Sequence, residues 1–281
     1  MKKAVLFGAS GGGSRLFDRI SREYEIVAVT DNDGSKWGGK LRGIPIYKPE
    51  ACINTADYDS VIIASAPGLE TIYSQLVGYG VPEQQIVTSY ITAPLESRIT
   101  FLEKFAELYH TVFPEQTAVA EAGVFAGDFA KEINRCFPGR KLHLFDTFSG
   151  FDERDIKKES LYSSAKTGDY SLTSEEAVLS KMRYPENCVV HKGYFPDTAA
   201  ELADQYGFVN LDLDLYEPTK NGLLYFSAHM ETCGIILVHD YFADNFKGPR
   251  RAVDEFMREM NQKNLIKMPV GDGISVMICG F

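Results

Sequence analysis

The 281-residue chain is 44% hydrophobic, 24% charged and 12% aromatic, ordinary proportions for a folded protein that exclude wholesale disorder. Its 29 basic and 39 acidic residues leave a net charge of −10, so the basic footprint of a nucleic-acid binder is missing. No apolar run approaches the ~18–20 residues that span a bilayer. The apolar stretch at residues 4–7 is too short for a signal-peptide core. Five scattered cysteines (Cys52, Cys136, Cys188, Cys233, Cys279) without a CxxC pair read as reduced thiols of a cytoplasmic protein.

At roughly 150 residues per domain the length suggests two domains. Residues 3–7 form a short apolar strand ending in the turn Gly8-Ala-Ser-Gly-Gly-Gly-Ser14. Helical periodicity follows over 15–22, then a strand at 26–30 closing on Asp31, and a polar turn over 32–40. Further strands are predicted at 61–64 and 85–88, with a helix at 71–79 between them. Alternation at this spacing predicts an α/β unit with a parallel sheet. The boundary is placed near residue 95, where Pro94 interrupts the pattern, giving domains 1–95 and 96–281. An amphipathic helix is predicted over 97–112.

A second alternation then begins, with strands at 117–122, 141–145, 188–191, 208–215 and 234–238. Residues 152–170 are charged and irregular, the pattern of a mobile loop or lid. A helix at 250–261 precedes an antiparallel hairpin that pairs 265–268 with 274–279. Two doubly wound, Rossmann-like domains result, the second ending in that hairpin.

Both glycine turns join a strand to a helix. In the first, backbone N–H groups face a phosphate-sized space at a helix N-terminus, and Asp31 follows Gly8 by 23 residues, where a ribose-binding acid belongs. Ser10 occupies the middle glycine of GxGxxG and would crowd a pyrophosphate, so an unliganded Rossmann unit is an equal reading. The strings FGASGGGSRLF, VTDND, KWGG and GIPI resemble the small N-terminal domains of nucleotide-sugar and bacterial glycan enzymes, notably sugar acetyltransferases and dehydratases. Such domains hold a nucleotide sugar.

The second turn reads Glu121-x-Gly123-x-x-x-Gly127, with Asp146 closing the next strand. Glu121 suits an ammonium group and Asp146 two vicinal hydroxyls, a combination found in S-adenosylmethionine. In LDLDLYEPT, strand alternation puts Asp212 and Asp214 on one side, and two unpaired carboxylates there are costly without a partner. Asp214 reads as a structural residue bonding backbone N–H groups. The following strand delivers His239 and Asp240, so Asp212, His239 and Asp240 can converge on one point, where a metal or a strong hydrogen-bonding partner would relieve the carboxylate repulsion.

Residues 97–281 resemble the TylF/MycF-type macrocin O-methyltransferase family through EAGVFAGDFA, LFDTFSGFDE, KGYFPDTAAEL, LDLDLYEPT, LVHDYF and GPRRAVDEFM. The resemblance implies a class I methyltransferase fold and S-adenosylmethionine held by Glu121, Gly123, Gly127, Asp146, Gly193 and Phe195, the last two near the adenine. It also implies a metal site of Asp212, His239 and Asp240. The family commonly has Asp where this chain has His239, which favours a softer ion than Mg²⁺ or makes His239 a general base. Asp212 and His239 are the candidate catalytic residues. The implied reaction is O-methylation of a sugar-like hydroxyl on a nucleotide sugar, glycan or other small molecule. A nicotinamide oxidoreductase built on the first turn lacks a Tyr-x-x-x-Lys pair. A degenerate, non-catalytic binding protein remains the third reading. Oligomeric state, a homo-oligomer included, is left open.

Overall fold

The computed structural model describes residues 1–66, 68–159, 165–171, 173–243, 246–260 and 264–281. The chain divides into two compact units, Met1–Leu95 and Glu96–Phe281.

In the first unit the elements are β1 (Lys2–Phe7), α1 (Gly11–Ile20), β2 (Tyr24–Thr30), β3 (Lys40–Leu41), β4 (Ile44–Tyr47), α2 (Pro49–Thr55), β5 (Ser60–Ile63), α3 (Leu69–Gly78) and β6 (Ile86–Val87). The sheet order is β3-β4-β2-β1-β5-β6, with β1 parallel to both β2 and β5. Side-chain alternation sends Val5 and Phe7 into one core and Ala4 and Leu6 into the other. The sequence reading did not pick out β3, β4 or α2. A two-residue strand is too short for periodicity to register, and α2 starts on Pro49 in its first turn.

Next comes α4 (Ser89–Tyr109), which runs through Pro94 instead of breaking there. Pro94 is close to the helix start, so it removes one early hydrogen bond while the apolar positions beyond it sustain the helix. The second unit continues with β7 (Ala118–Ala122), α5 (Ala130–Cys136), β8 (Leu142–Asp146), α6 (Glu153–Glu159), α7 (Glu175–Leu179), β9 (Cys188–Lys192), β10 (Tyr206–Leu211), α8 (Tyr216–Ser227), β11 (Met230–Val238), α9 (Gly248–Glu259), β12 (Ile266–Pro269) and β13 (Val276–Cys279). Part of the predicted irregular stretch is thus the helix α6, and residues 160–164 of it lie outside the described residues.

Among the described residues this sheet has the order β12-β13-β11-β10-β7-β8-β9, parallel from β11 to β9 and antiparallel in the terminal β12–β13 hairpin. Each face carries its own core. Val119, Leu142, Leu144 and Phe208 pack on one side, and Ala120, Ala122, Phe145, Val209 and Leu211 on the other. A register shift between Tyr206 and Phe208 turns the Tyr206 ring toward the second core, against Phe226 at 5.1 Å.

His143 on β8 is 1% exposed, with Nδ1 2.8 Å from Nε2 of His191 on β9. Burial, only partly offset by Asp204, holds its pKa down to about 4. Unfolding frees it to titrate near its ordinary value of about 6.5. The folded state therefore loses stability as pH falls from about 6.5 to 4, by up to about 3 kcal/mol, and gains nothing above that window. His143→Phe is expected to flatten this dependence. Urea midpoints of both proteins at pH 7.5 and 4.5 check it, since parallel shifts would remove His143 as the cause.

Candidate active site

Strand register sets the site. Leu211 on β10 is level with Ala122 on β7 and Val238 on β11. Gly123, Asp212 and His239 therefore leave the sheet together, at the carboxyl ends of three neighbouring parallel strands where open α/β sheets bind ligands. The Asp212 N–H donates to the Ala122 carbonyl at 2.8 Å and the His239 N–H to the Leu211 carbonyl at 2.9 Å, which fixes that arrangement.

Nδ1 of His239 lies 2.8 Å from Asp212 Oδ1 and 3.4 Å from Asp240 Oδ2. One ligand atom from each of these three residues falls within 4.8 Å of the others. Burial alone would make the imidazole less basic, but the carboxylates of Asp212 and Asp240 outweigh it and raise its pKa to about 10. With only these neighbours His239 is an imidazolium at neutral pH. A protonated ring has no lone pair, so either role the sequence suggests, general base or cation ligand, belongs to the neutral imidazole.

Asp214 is also placed differently from its expected role. Its carboxyl hydrogen-bonds that of Asp240, and burial, then Asp240 and Asp212, hold its pKa well above the ordinary carboxyl range. Asp214 (φ 57°) and Asp240 (φ 58°) both have left-handed backbone, as do Phe125, Phe148 and Tyr170 nearby in the same unit. Five of the seven such non-glycine residues described belong to these loops, the clustering expected where function holds backbone in strained regions.

Glu121, the fourth residue of β7, is 2% exposed. Its Oε1 accepts from Asn210 Nδ2 at 2.7 Å, while Oε2 has no hydrogen-bond partner. Burial and then Asp212 push its pKa up to about 8, against the opposing Asn210 bond and Arg98 charge. Gly123 has φ +84°, and a Cβ there would lie 1.9 Å from the Asp212 carbonyl oxygen. Gly127 (φ +76°) packs on Val178, and Gly193 (φ +140°) on Thr198.

Asp146 folds back on the glycine turn. Its Oδ2 accepts the N–H groups of Val124 and Phe125, both at 2.8 Å, and its Oδ1 that of Phe148 at 2.7 Å. Phe195 does not present its ring to a ligand cleft. It is 4% exposed and stacked in the aromatic core, 5.3 Å from Phe145 and 5.6 Å from Phe226. The resemblance places Phe195 near the adenine, but the core has first claim on so large an apolar ring.

Sequence reasoning missed Arg98, Asn210 and Tyr170. Arg98 shares a face of α4 with Leu102 and Phe105, and a charge on that apolar stripe was the available signal. Tyr170 feels Asp214, Asp240 and Asp212, which together with burial raise its hydroxyl pKa. Its ring meets Phe125 edge-on at 5.4 Å and Phe151 at 5.3 Å, so three aromatic rings lie together next to the acidic cluster.

The macrocin O-methyltransferase (TylF) family profile matches residues 102–274. The chain belongs to this family. It is a methyltransferase that uses S-adenosylmethionine. A second profile, described as C2185-like, N-terminal, matches residues 1–87. The enzyme is similar in fold to the O-methyltransferase NovP, with a TM-score of 0.52 and 20% identity over 64% of this chain and 78% of NovP. It is also similar to the calicheamicin methyltransferase CalS11, with a TM-score of 0.51 and 17% identity over 86% of this chain and 97% of CalS11. No curated protein matches the chain. No helix among the described residues is long and apolar enough to cross a membrane.

The residues present fit both implied groups. The orphaned Glu121 Oε2 suits an ammonium, and the space a Cβ would fill at Gly123 lies against Asp212. For a cation, the cluster offers carboxylate oxygens beside a ring nitrogen. That mixed donor set suits Mn²⁺ or Zn²⁺ better than Mg²⁺.

Proposed function

We propose that the enzyme methylates a hydroxyl of a sugar-like acceptor, with a divalent cation held by Asp212, His239 and Asp240. The observation that carries this reading is the convergence of Glu121, Asp212, His239 and Asp240 at the ends of adjacent strands. Bound S-adenosylmethionine supplies an electrophilic methyl group, and a cation supplies charge that makes the acceptor hydroxyl more acidic. A sugar hydroxyl is a very weak acid, so its proton must leave as the new C–O bond forms. Asp212 accepts that proton, and the S–CH₃ electron pair stays on sulfur. His239, placed between two carboxylates, gives up its proton when the cation binds and offers it a ring nitrogen. Asp146 holds the glycine turn, which positions the cofactor. Phe125, Phe151 and Tyr170 offer apolar ring faces to a sugar.

The first unit, in this reading, carries its own site for a nucleotide-linked group. Support comes from its glycine turn, where Lys36 Nζ reaches Ser10 Oγ at 2.5 Å and Asp31 Oδ2 at 3.0 Å. A cationic group at a helix N-terminus is suited to phosphate.

Calorimetric titration with S-adenosylhomocysteine tests the cofactor half of the proposal. Wild type is expected to bind it and Asp146→Ala to bind at least ~10-fold more weakly, because the turn loses three hydrogen bonds of about 1 kcal/mol each. Release of S-adenosylhomocysteine from a panel of nucleotide sugars, with Mn²⁺, Mg²⁺ or EDTA, tests the rest. Equal release with EDTA would remove the cation.

A further inference from the structure

Arg98 is a charged side chain beside the site to which the mechanism gives no work. It is 8% exposed, and its Nε and Nη1 have no hydrogen-bond partner. The guanidinium packs on an aromatic ring, its central carbon 4.5 Å from the centre of Phe129. Its nearest ion-pair partner is Asp212, with Nη1 3.7 Å from Oδ2, too far for a hydrogen bond. Asp212 therefore lends charge but leaves the donors free.

Two buried groups in this pocket are thus incomplete in complementary ways. Glu121 keeps one acceptor oxygen unpaired, and Arg98 keeps two donors unpaired. Glu121 can relieve its burial by holding a proton, whereas a guanidinium cannot shed one. Arg98 consequently requires an anion that can accept from a planar fork, and a carboxylate is the group whose geometry matches. A ligand carrying an ammonium and a carboxylate on one carbon would complete both residues at once. Packing against Phe129 already restricts the Arg98 side chain, so less of its freedom is lost on binding.

We infer that Arg98 binds the α-carboxylate of S-adenosylmethionine while Glu121 takes the ammonium, so that the pair grips the amino-acid end of the cofactor as a zwitterion. This rests on the assignment of Glu121 to the cofactor site. Arg98 is a binding residue, and it sets which cofactor analogues the site accepts.

The test is calorimetric binding to the full-length chain, using S-adenosylhomocysteine, decarboxylated S-adenosylmethionine and 5′-methylthioadenosine. The second ligand lacks the carboxylate and the third lacks the whole amino-acid end. Arg98→Met is expected to weaken S-adenosylhomocysteine by about 30-fold or more, the loss that follows removal of one partner from a buried charged pair. Its affinity for the other two ligands is expected to match wild type, which also shows that the variant is folded. Arg98→Lys, which keeps the charge without the fork, is expected to fall between the two. Equal weakening of all three ligands by Arg98→Met, or of none, would overturn the inference. If wild type binds none of them, the cofactor-site assignment fails instead.

Discussion

Asn in place of Asp212 is expected to lower turnover by about 10²–10⁴-fold while S-adenosylhomocysteine affinity is largely kept. The side chain stays the same size, so its backbone bond to Ala122 and the close contact with Gly123 survive. What goes is the carboxylate that faces His239 Nδ1 at 2.8 Å and would accept the acceptor's proton. His239 keeps the Asp240 carboxylate 3.4 Å from its Nδ1 in the variant. The change also removes one of three cation donors, so Mn²⁺ binding, read by electron paramagnetic resonance without any acceptor, should weaken too. Undiminished S-adenosylhomocysteine release would exclude Asp212 as the base.

That cluster was only partly legible in the sequence. The positions of Asp212, His239 and Asp240 followed from two apolar runs that end in charge, because parallel strands deliver their C-terminal residues to one edge. Strand alternation suggested that Asp212 and Asp214 share a side, yet β10 stops at Leu211. Asp214 reaches Asp240 because the chain beyond the strand turns through left-handed backbone, and no periodicity reports such a turn. Arg98 was hidden for another reason. Its partners Asp212 and Phe129 are far away in sequence, and only the packed helix brings them together.

The two glycine turns show what a motif can and cannot report. Both acids that follow them at 23 residues were read as ribose ligands. In the first unit Asp31 accepts the N–H groups of Ala9 and Asp33, and in the second Asp146 accepts those of Val124, Phe125 and Phe148. Each carboxylate binds its own turn and the residue two positions beyond itself. The shared spacing therefore encodes a way of bracing a strand–turn–helix, whichever ligand the turn then holds. Chemistry separates the units. The first places Lys36 beside its acid, and the second places Glu121 and Arg98 beside its turn.

Gly123→Ala is expected to destabilise the second unit by about 2–5 kcal/mol, adding left-handed strain of about 1–2 kcal/mol to overpacking of about 1–3 kcal/mol. The new Cβ would sit 1.9 Å from the Asp212 carbonyl oxygen and 2.6 Å from its carbon, both backbone atoms that no rotamer change can move aside. Relief requires β7 and β10 to part at the edge where Glu121 and Asp212 are held. Gly139→Ala is the matched control. Its φ of +77° carries the same kind of strain, but nothing lies within 4 Å of the added methyl. It should therefore cost only about 1–2 kcal/mol. Thermal melts would show the difference as an extra loss of several °C for Gly123→Ala, at roughly 2–4 °C per kcal/mol for a unit of this size. S-adenosylhomocysteine binding should fall only in Gly123→Ala. If the two variants melt together and both bind, the close approach of β7 and β10 is not what makes glycine necessary at this position.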